Sequence, residues 1–247
     1  MTEVRHLRNA PITEALIDLR ARLPAGFDPE TFSGLGEELA DRYPKPEKRQ
    51  LVEQKIEIGL GSSHHPPQRK GLVGFFFRSE DERNLAQFRI DGFTFNRLKP
   101  YTTWEEVSQE ARRLWTLYCQ AASPESVTRA AVRYINHIPI PAPIGDMSDY
   151  LTTPMPIPEG LPGAVSSLLT KVVIRDEKAG LAANITQGLE EDIQSRSVTI
   201  ILDIDAYKKR EFEPQDDELW STLEALRNLK NEIFFGSLAD KLVRSFE

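Results

Sequence analysis

Apolar and polar side chains alternate along PITEALIDLRARLP, residues 11–24, and Glu14, Asp18, Arg20 and Arg22 all fall on one parity. Alternation with period two is the pattern of a half-buried strand. It predicts a strand with one apolar face and one face of mixed charge. Residues 28–43 read as a helix, opened by Asp28 with Pro29 in the first turn and closed before Pro44. KPEKRQ is then expected to be a charged loop. Strand-like runs follow at residues 54–60, 71–78 and 85–98, spaced as an antiparallel meander. Thr103-Trp-Glu-Glu106 is a capping box, which starts a helix running to about Ala122. The apolar positions of that helix, Trp104, Val107, Ala111, Leu114, Trp115 and Tyr118, recur with the helical period.

The second half begins again with a strand, SVTRAAVRYINHIP, residues 126–139. A proline-rich connection follows, with room for one short helical turn at residues 146–151. Strands are expected near 165–175, 181–188 and 197–208. A long helix from about Asp216 carries Leu219, Leu223, Leu226, Leu229 and Ile233 at helical spacing, and residues 240–246 continue or renew it after Gly236.

Residues 126–139 align under residues 11–24 without a gap, with Ile12 over Val127, Thr13 over Thr128, Ala15 over Ala130, Ile17 over Val132 and Pro24 over Pro139. Trp104 and Trp220, near the starts of the two long helices, lie at nearly the same offset. The reading is an α+β fold made of a duplicated β-α-β-β-β-α unit. Residues 1–247 form a single domain of two repeats, 1–124 and 125–247, joined edge to edge about a pseudo-twofold axis so that two strand edges are removed. Asp91-Gly92 reads as a hairpin turn or as a glycine bulge. Since residues 197–208 hold no turn signal, the duplication favours one bulged strand over 85–98. If the two leading strands lie antiparallel, Glu14 opposes Arg133 and Asp18 opposes Arg129, giving cross-strand ion pairs.

The chain has 247 residues, 31 basic against 38 acidic, for a net charge of −7. That balance argues against a nucleic-acid binder working by gross electrostatics. No apolar leader follows Met1 and no stretch reaches the length of a membrane span, so a soluble cytoplasmic protein is expected, with no membrane partner. The single cysteine, Cys119, excludes an internal disulfide and fits a reducing compartment.

The search for reaction chemistry yields little. There is no Gly-rich phosphate loop, nucleophile elbow or dinucleotide fingerprint. His64-His65 lacks metal-ligand spacing and reads as exposed loop. Asp203 and Asp205 share a strand face and could bind Mg²⁺, but without a third acid or lysine at a recognised spacing they read as a solvated face. Cys119 has no histidine arranged to activate it. Arg97, Lys99 and Tyr101 follow a phenylalanine-rich strand and could form a base-stacking platform, although Phe75, Phe76 and Phe77 read as core and Pro100-Tyr101 as an ordinary strand-to-helix turn. No catalytic residue, metal site or cofactor is assigned.

The stretches NAPITEALIDLR, GFTFNRLKPYTTWEE, VTRAAVRYINHIPIP and LRNLKNEIFFGSLADKLVRSF together resemble a sporadically distributed family of uncharacterised prokaryotic proteins of this length. The resemblance spans the whole chain and implies no activity or site residues. Its patchy distribution implies mobile genes, including defence or toxin–antitoxin neighbourhoods.

Two functions follow as expectations. The first is a non-enzymatic binding protein that uses a mixed-charge sheet face or groove for a protein partner or a small acidic ligand. The second is an enzyme or sensor for a nucleotide or other phosphorylated small molecule. In either case Arg20, Arg22, Arg129, Arg133 and His137 are the candidate anion contacts, and a homodimer is left open.

Overall fold

The computed structural model describes residues 7–53, 68–141, 146–154, 167–192 and 197–247. In chain order its elements are β1 (Ile12–Arg22), a 3-10 turn (Pro29–Gly34) running into α1 (Leu35–Leu39), β2 (Lys45–Glu53), β3 (Gln68–Arg78), β4 (Asn84–Arg89), β5 (Gly92–Leu98) and α2 (Trp104–Ala122). Then come β6 (Ser126–Pro141), a second 3-10 turn (Met147–Asp149), β7 (Ser167–Asp176), β8 (Leu181–Asp192), β9 (Ser197–Phe212), α3 (Asp217–Ser237) and α4 (Asp240–Arg244). The strands form one mixed-composition α+β architecture: a nine-stranded antiparallel sheet in the order β2-β3-β4-β5-β1-β6-β9-β8-β7. No helix among the described residues is long and apolar enough to cross a membrane.

Strand parity decides which face the helices cover. Leu19 is level with Phe93 on one side and Ala130 on the other, and Ile17 with Phe95 and Val132, so these side chains share one face. Against that face pack Phe32 from the first 3-10 turn and Trp115 and Tyr118 from α2. They form an aromatic cluster with Phe88 and Phe93 whose ring centres lie 5.0–6.2 Å apart. Each fully buried side chain of this size contributes about 1.5–3 kcal/mol through burial alone. Leu219, Leu223 and Leu226 of α3 cover β6 and β9 in the same way. Thr103 caps α2 by accepting from Glu106 N at 3.2 Å, and Asp216 caps α3 by accepting from Glu218 N at 2.9 Å.

Several local expectations are corrected. KPEKRQ forms the first part of β2, an edge strand: Lys45, Pro46 and Lys48 deter a further strand from pairing there, so charge marks an edge and not a loop. Residues 28–43 form a 3-10 turn and a five-residue helix in place of one continuous helix, with Phe32, Leu35, Leu39 and Tyr43 as the buried positions. The run 85–98 is a hairpin, β4 and β5, closed at Ile90-Asp91, and not one bulged strand. Gly92 has φ +137, and a Cβ there would lie 2.1 Å from the Leu19 carbonyl oxygen, so glycine serves both the turn and the approach of β1. The run 54–60 and His64-His65 lie outside the described residues.

Among the described residues the first half has five strands against four in the second, with β2 beyond the matching succession. Trp104 is the first residue of α2 and is buried, whereas Trp220 is the fourth residue of α3 and is half-buried, with the Arg112 guanidinium 5.5 Å above its ring. β1 and β6 are antiparallel neighbours, but Glu14 is level with Ile135 and Leu16 with Arg133, so the expected Glu14–Arg133 opposition is absent.

Candidate functional site

The face of the sheet away from the helices carries a polar network laid across six strands. Asp18 of β1 is only 6 % exposed. It accepts from Arg89 of β4 at 3.1 Å, from the Thr94 hydroxyl of β5 at 2.7 Å and from Arg129 of β6 at 3.1 Å. Arg129 also grips Asp205 of β9 with bonds of 2.7 and 2.8 Å, and Asn184 of β8 donates to the same carboxylate at 3.0 Å. Burial works against the Asp18 charge, but Thr94 and the Arg20 and Arg89 guanidiniums outweigh it and hold the carboxyl below its usual value.

The candidate arginines are therefore distributed along this network. Arg20 donates to Asp18 at 3.2 Å and pairs with Asp91. Arg133 forms a two-bond fork with Asp203, at 2.8 and 2.5 Å. Arg22 stands at the end of β1 beside Glu211, 2.9 Å away. His137 is exposed near the opposite end of β6. Arg20 and Arg129 meet at Asp18, while Arg22 and His137 lie far from each other along the strands. All four arginines carry carboxylate partners, and the Asp18–Arg129 pair forms diagonally although the expected register does not.

A different site lies on the helix-covered face, where β6, α3 and the start of α2 meet. The apolar stripe of α3 runs Leu219, Leu223, Leu226, and its next inward position is Lys230, 8 % exposed. The inward parity of β6 runs Ala130, Val132, Tyr134, and its next position is Asn136, 1 % exposed. Both residues line a cavity of about 160 Å³ together with Ile12, Tyr101, Trp104, Arg227 and Phe234. Lys230 Nζ stands 3.8 Å from the centre of the Tyr134 ring and donates to Asn231 Oδ1 at 2.5 Å. Among the described residues no carboxylate pairs with it. Burial, reinforced by the Arg227 charge, lowers its pKa from 10.5 to about 7.

Around this amine the polar groups are arranged but incomplete. Asn136 Nδ2 donates to the Leu202 carbonyl at 2.9 Å, while its buried Oδ1 has no partner. The Tyr101 and Tyr134 hydroxyls are 3.1 Å apart, and burial raises the pKa of both, so both remain neutral phenols. Arg227 pairs with Glu224 at 2.7 Å, and Glu224 accepts in turn from the Trp104 indole. A wider recess of about 620 Å³ shares Leu7, Ala10, Ile12, Tyr101 and Thr102 with the cavity and reaches Lys99 and His137. The stretches 7–13, 99–105, 134–139 and 227–235 thus converge on one end of the molecule.

Compared with known protein families, curated proteins and solved structures, the chain has no match.

The remaining candidates resolve structurally. Asp203 and Asp205 each hold an arginine, and no group of three or more metal-ligating side chains occurs among the described residues. Cys119 is buried in α2, which pushes its thiol up to about 12. Phe75 and Phe77 are core, whereas Phe76 lies on the opposite face beneath the Arg49 guanidinium at 5.2 Å. Tyr101 packs against Tyr134 with ring centres 5.6 Å apart and planes inclined at 65°.

Proposed function

We propose that the protein is a non-enzymatic cytoplasmic binding protein for a small acidic organic ligand, held in the cavity between β6 and α3. The observation that carries the reading is Lys230: a buried amine with no carboxylate partner among the described residues, lining a cavity beside an unpartnered amide oxygen. An enclosed cation without a counter-ion is costly, and an anionic ligand offsets that cost. Ion pairs satisfy the arginines of the open face, so that face is a weaker anion site than the cavity. The nucleotide alternative draws on a separate recess of about 490 Å³ lined by Arg42, Arg97 and Arg113, but Glu110 already engages Arg42 and Arg113 at 2.8–2.9 Å.

The test is a thermal-shift series with acetate, propionate, succinate, inorganic phosphate and nucleotides. A ligand at a hundred times its dissociation constant adds about 2.7 kcal/mol. Small carboxylates should stabilise the native chain and lose that effect in Lys230→Met. Stabilisation by nucleotides alone would overturn the reading.

The common descent of the two halves is part of the same proposal. It is supported by the central antiparallel pairing of β1 with β6, and by the succession β5-β4-β3 on one side matching β9-β8-β7 on the other. The additional edge strand β2 and the displaced Trp220 are the differences that the two halves would have acquired.

A further inference from the structure

We propose that Lys230 holds its ligand covalently, as an imine with a small 2-oxo acid. The inference rests on the binding reading above and adds the chemical class of the ligand. Three observations carry it. The Lys230 amine lines the cavity, is enclosed, and among the described residues pairs with no carboxylate, Glu105 of the same cavity included. The Asn136 Oδ1 acceptor has no donor, which suits the hydroxyl that a carbonyl carbon carries once an amine has added to it. The volume of about 160 Å³ matches a ligand of about six non-hydrogen atoms, since an enclosed space near 150 Å³ holds a benzene ring. Pyruvate and glyoxylate are of that size.

The balance needs no further reactant. The neutral nitrogen lone pair forms a bond to the carbonyl carbon, and one nitrogen proton moves to the oxygen to give a carbinolamine. The second nitrogen proton leaves with that oxygen as water while the C=N bond forms. Enclosure favours the neutral amine that begins the sequence. The ligand carboxylate meets Arg227, whose guanidinium lines the same cavity and is shared with Glu224 at 2.7 Å. The Tyr101–Tyr134 hydroxyl pair belongs to residues lining the same cavity and supplies neutral donors and acceptors.

The experiment incubates the full chain with pyruvate or glyoxylate and cyanoborohydride, then reads intact mass and maps the labelled peptide. One adduct per chain is expected, with label at Lys230 at least tenfold above any other lysine. Lys230→Met should give no adduct at that peptide. Lys230→Arg, which keeps the charge without the nucleophile, should still be stabilised by propionate. Label spread over surface lysines, with propionate and pyruvate stabilising the native chain equally, overturns the imine and leaves the binding reading standing. Absence of stabilisation by any small carboxylate, together with absence of label, overturns both.

Discussion

Replacing Lys230 with methionine should raise stability near neutral pH and remove a pH dependence that the native chain carries. Lys230 is enclosed, and its pKa falls from 10.5 to about 7 on folding. Below the folded value both states are protonated, and folding carries the whole cost of enclosing the charge. Above the unfolded value both are neutral and that cost is gone. Between the two, the unfolded chain binds the extra proton, so this group makes the native chain more stable as pH rises and less stable as pH falls. Each pKa unit corresponds to about 1.4 kcal/mol, so the interval from about pH 6 to about pH 10 spans roughly 4 kcal/mol. Methionine removes the dependence but also loses the Asn231 hydrogen bond and the contact with the Tyr134 ring, about 1 kcal/mol each. The expected net effect is therefore a gain of about 2 kcal/mol at the acid end, crossing zero on the alkaline side. Urea unfolding of both chains at intervals across this range measures the difference directly, since all other titrations cancel. Two curves that stay parallel to within about 0.5 kcal/mol would refute the enclosed, unpaired amine.

Trp104→Ala should cost about 3–5 kcal/mol in urea unfolding because a buried indole leaves a cavity, whereas half-buried Trp220→Ala should cost less than half as much. Equal costs would reject their different burial. Asp18→Ala strips Arg89 and Arg129 of a shared enclosed partner and should cost about 3–5 kcal/mol. Because the Asp18 carboxyl is held below its usual value, its contribution is present at neutral pH and is lost as pH falls through the folded value. Acid titrations of the native and Asp18→Ala chains should therefore converge at low pH. The Cys119 thiol, raised by burial to about 12, should react with a disulfide reagent only in denaturant, and prompt reaction of the folded chain would contradict its enclosure.

Most strands and both long helices are legible because their patterns are local: Thr103 and Asp216 cap where helices begin, and period-two alternation marks much of β1 and β6. KPEKRQ and residues 28–43 misled locally, since a charged run can be an edge strand and a capped start can open a 3-10 turn, whereas at residues 85–98 a long-range argument overruled a local one. Asp91-Gly92 was a sound turn signal by itself, and an assumed match with β9 displaced it; β9 is long because β6 and β8 both pair along it, a fact of tertiary structure. Arg20, Arg22, Arg129, Arg133 and His137 lie on the charged parity of β1 and β6, where charge is expected in any half-solvated sheet. The cavity was legible on the other parity. Asn136 interrupts the inward series of β6, and Lys230 interrupts the inward series of α3, four residues after Leu226 and three before Ile233. Polar residues at positions that the period assigns to the core mark places where folding yields to another requirement. That the two interruptions meet is information held only by the packing.

The central position of β1 has a consequence for the order of assembly. It leaves the ribosome ahead of both its neighbours in the sheet, β5, beginning at Gly92, and β6, beginning at Ser126. At about 5–20 residues per second, several seconds of synthesis separate β1 from either partner. Closing the ladder then requires contacts of long sequence separation, which places refolding among the slow topologies, in milliseconds to seconds. During that interval an amphipathic strand with both edges open is exposed. The charges along its outer parity, Glu14, Asp18, Arg20 and Arg22, keep that one face soluble until β5 and β6 pair along both edges. The same side chains that later join the sheet's polar network thus protect the nascent chain from association.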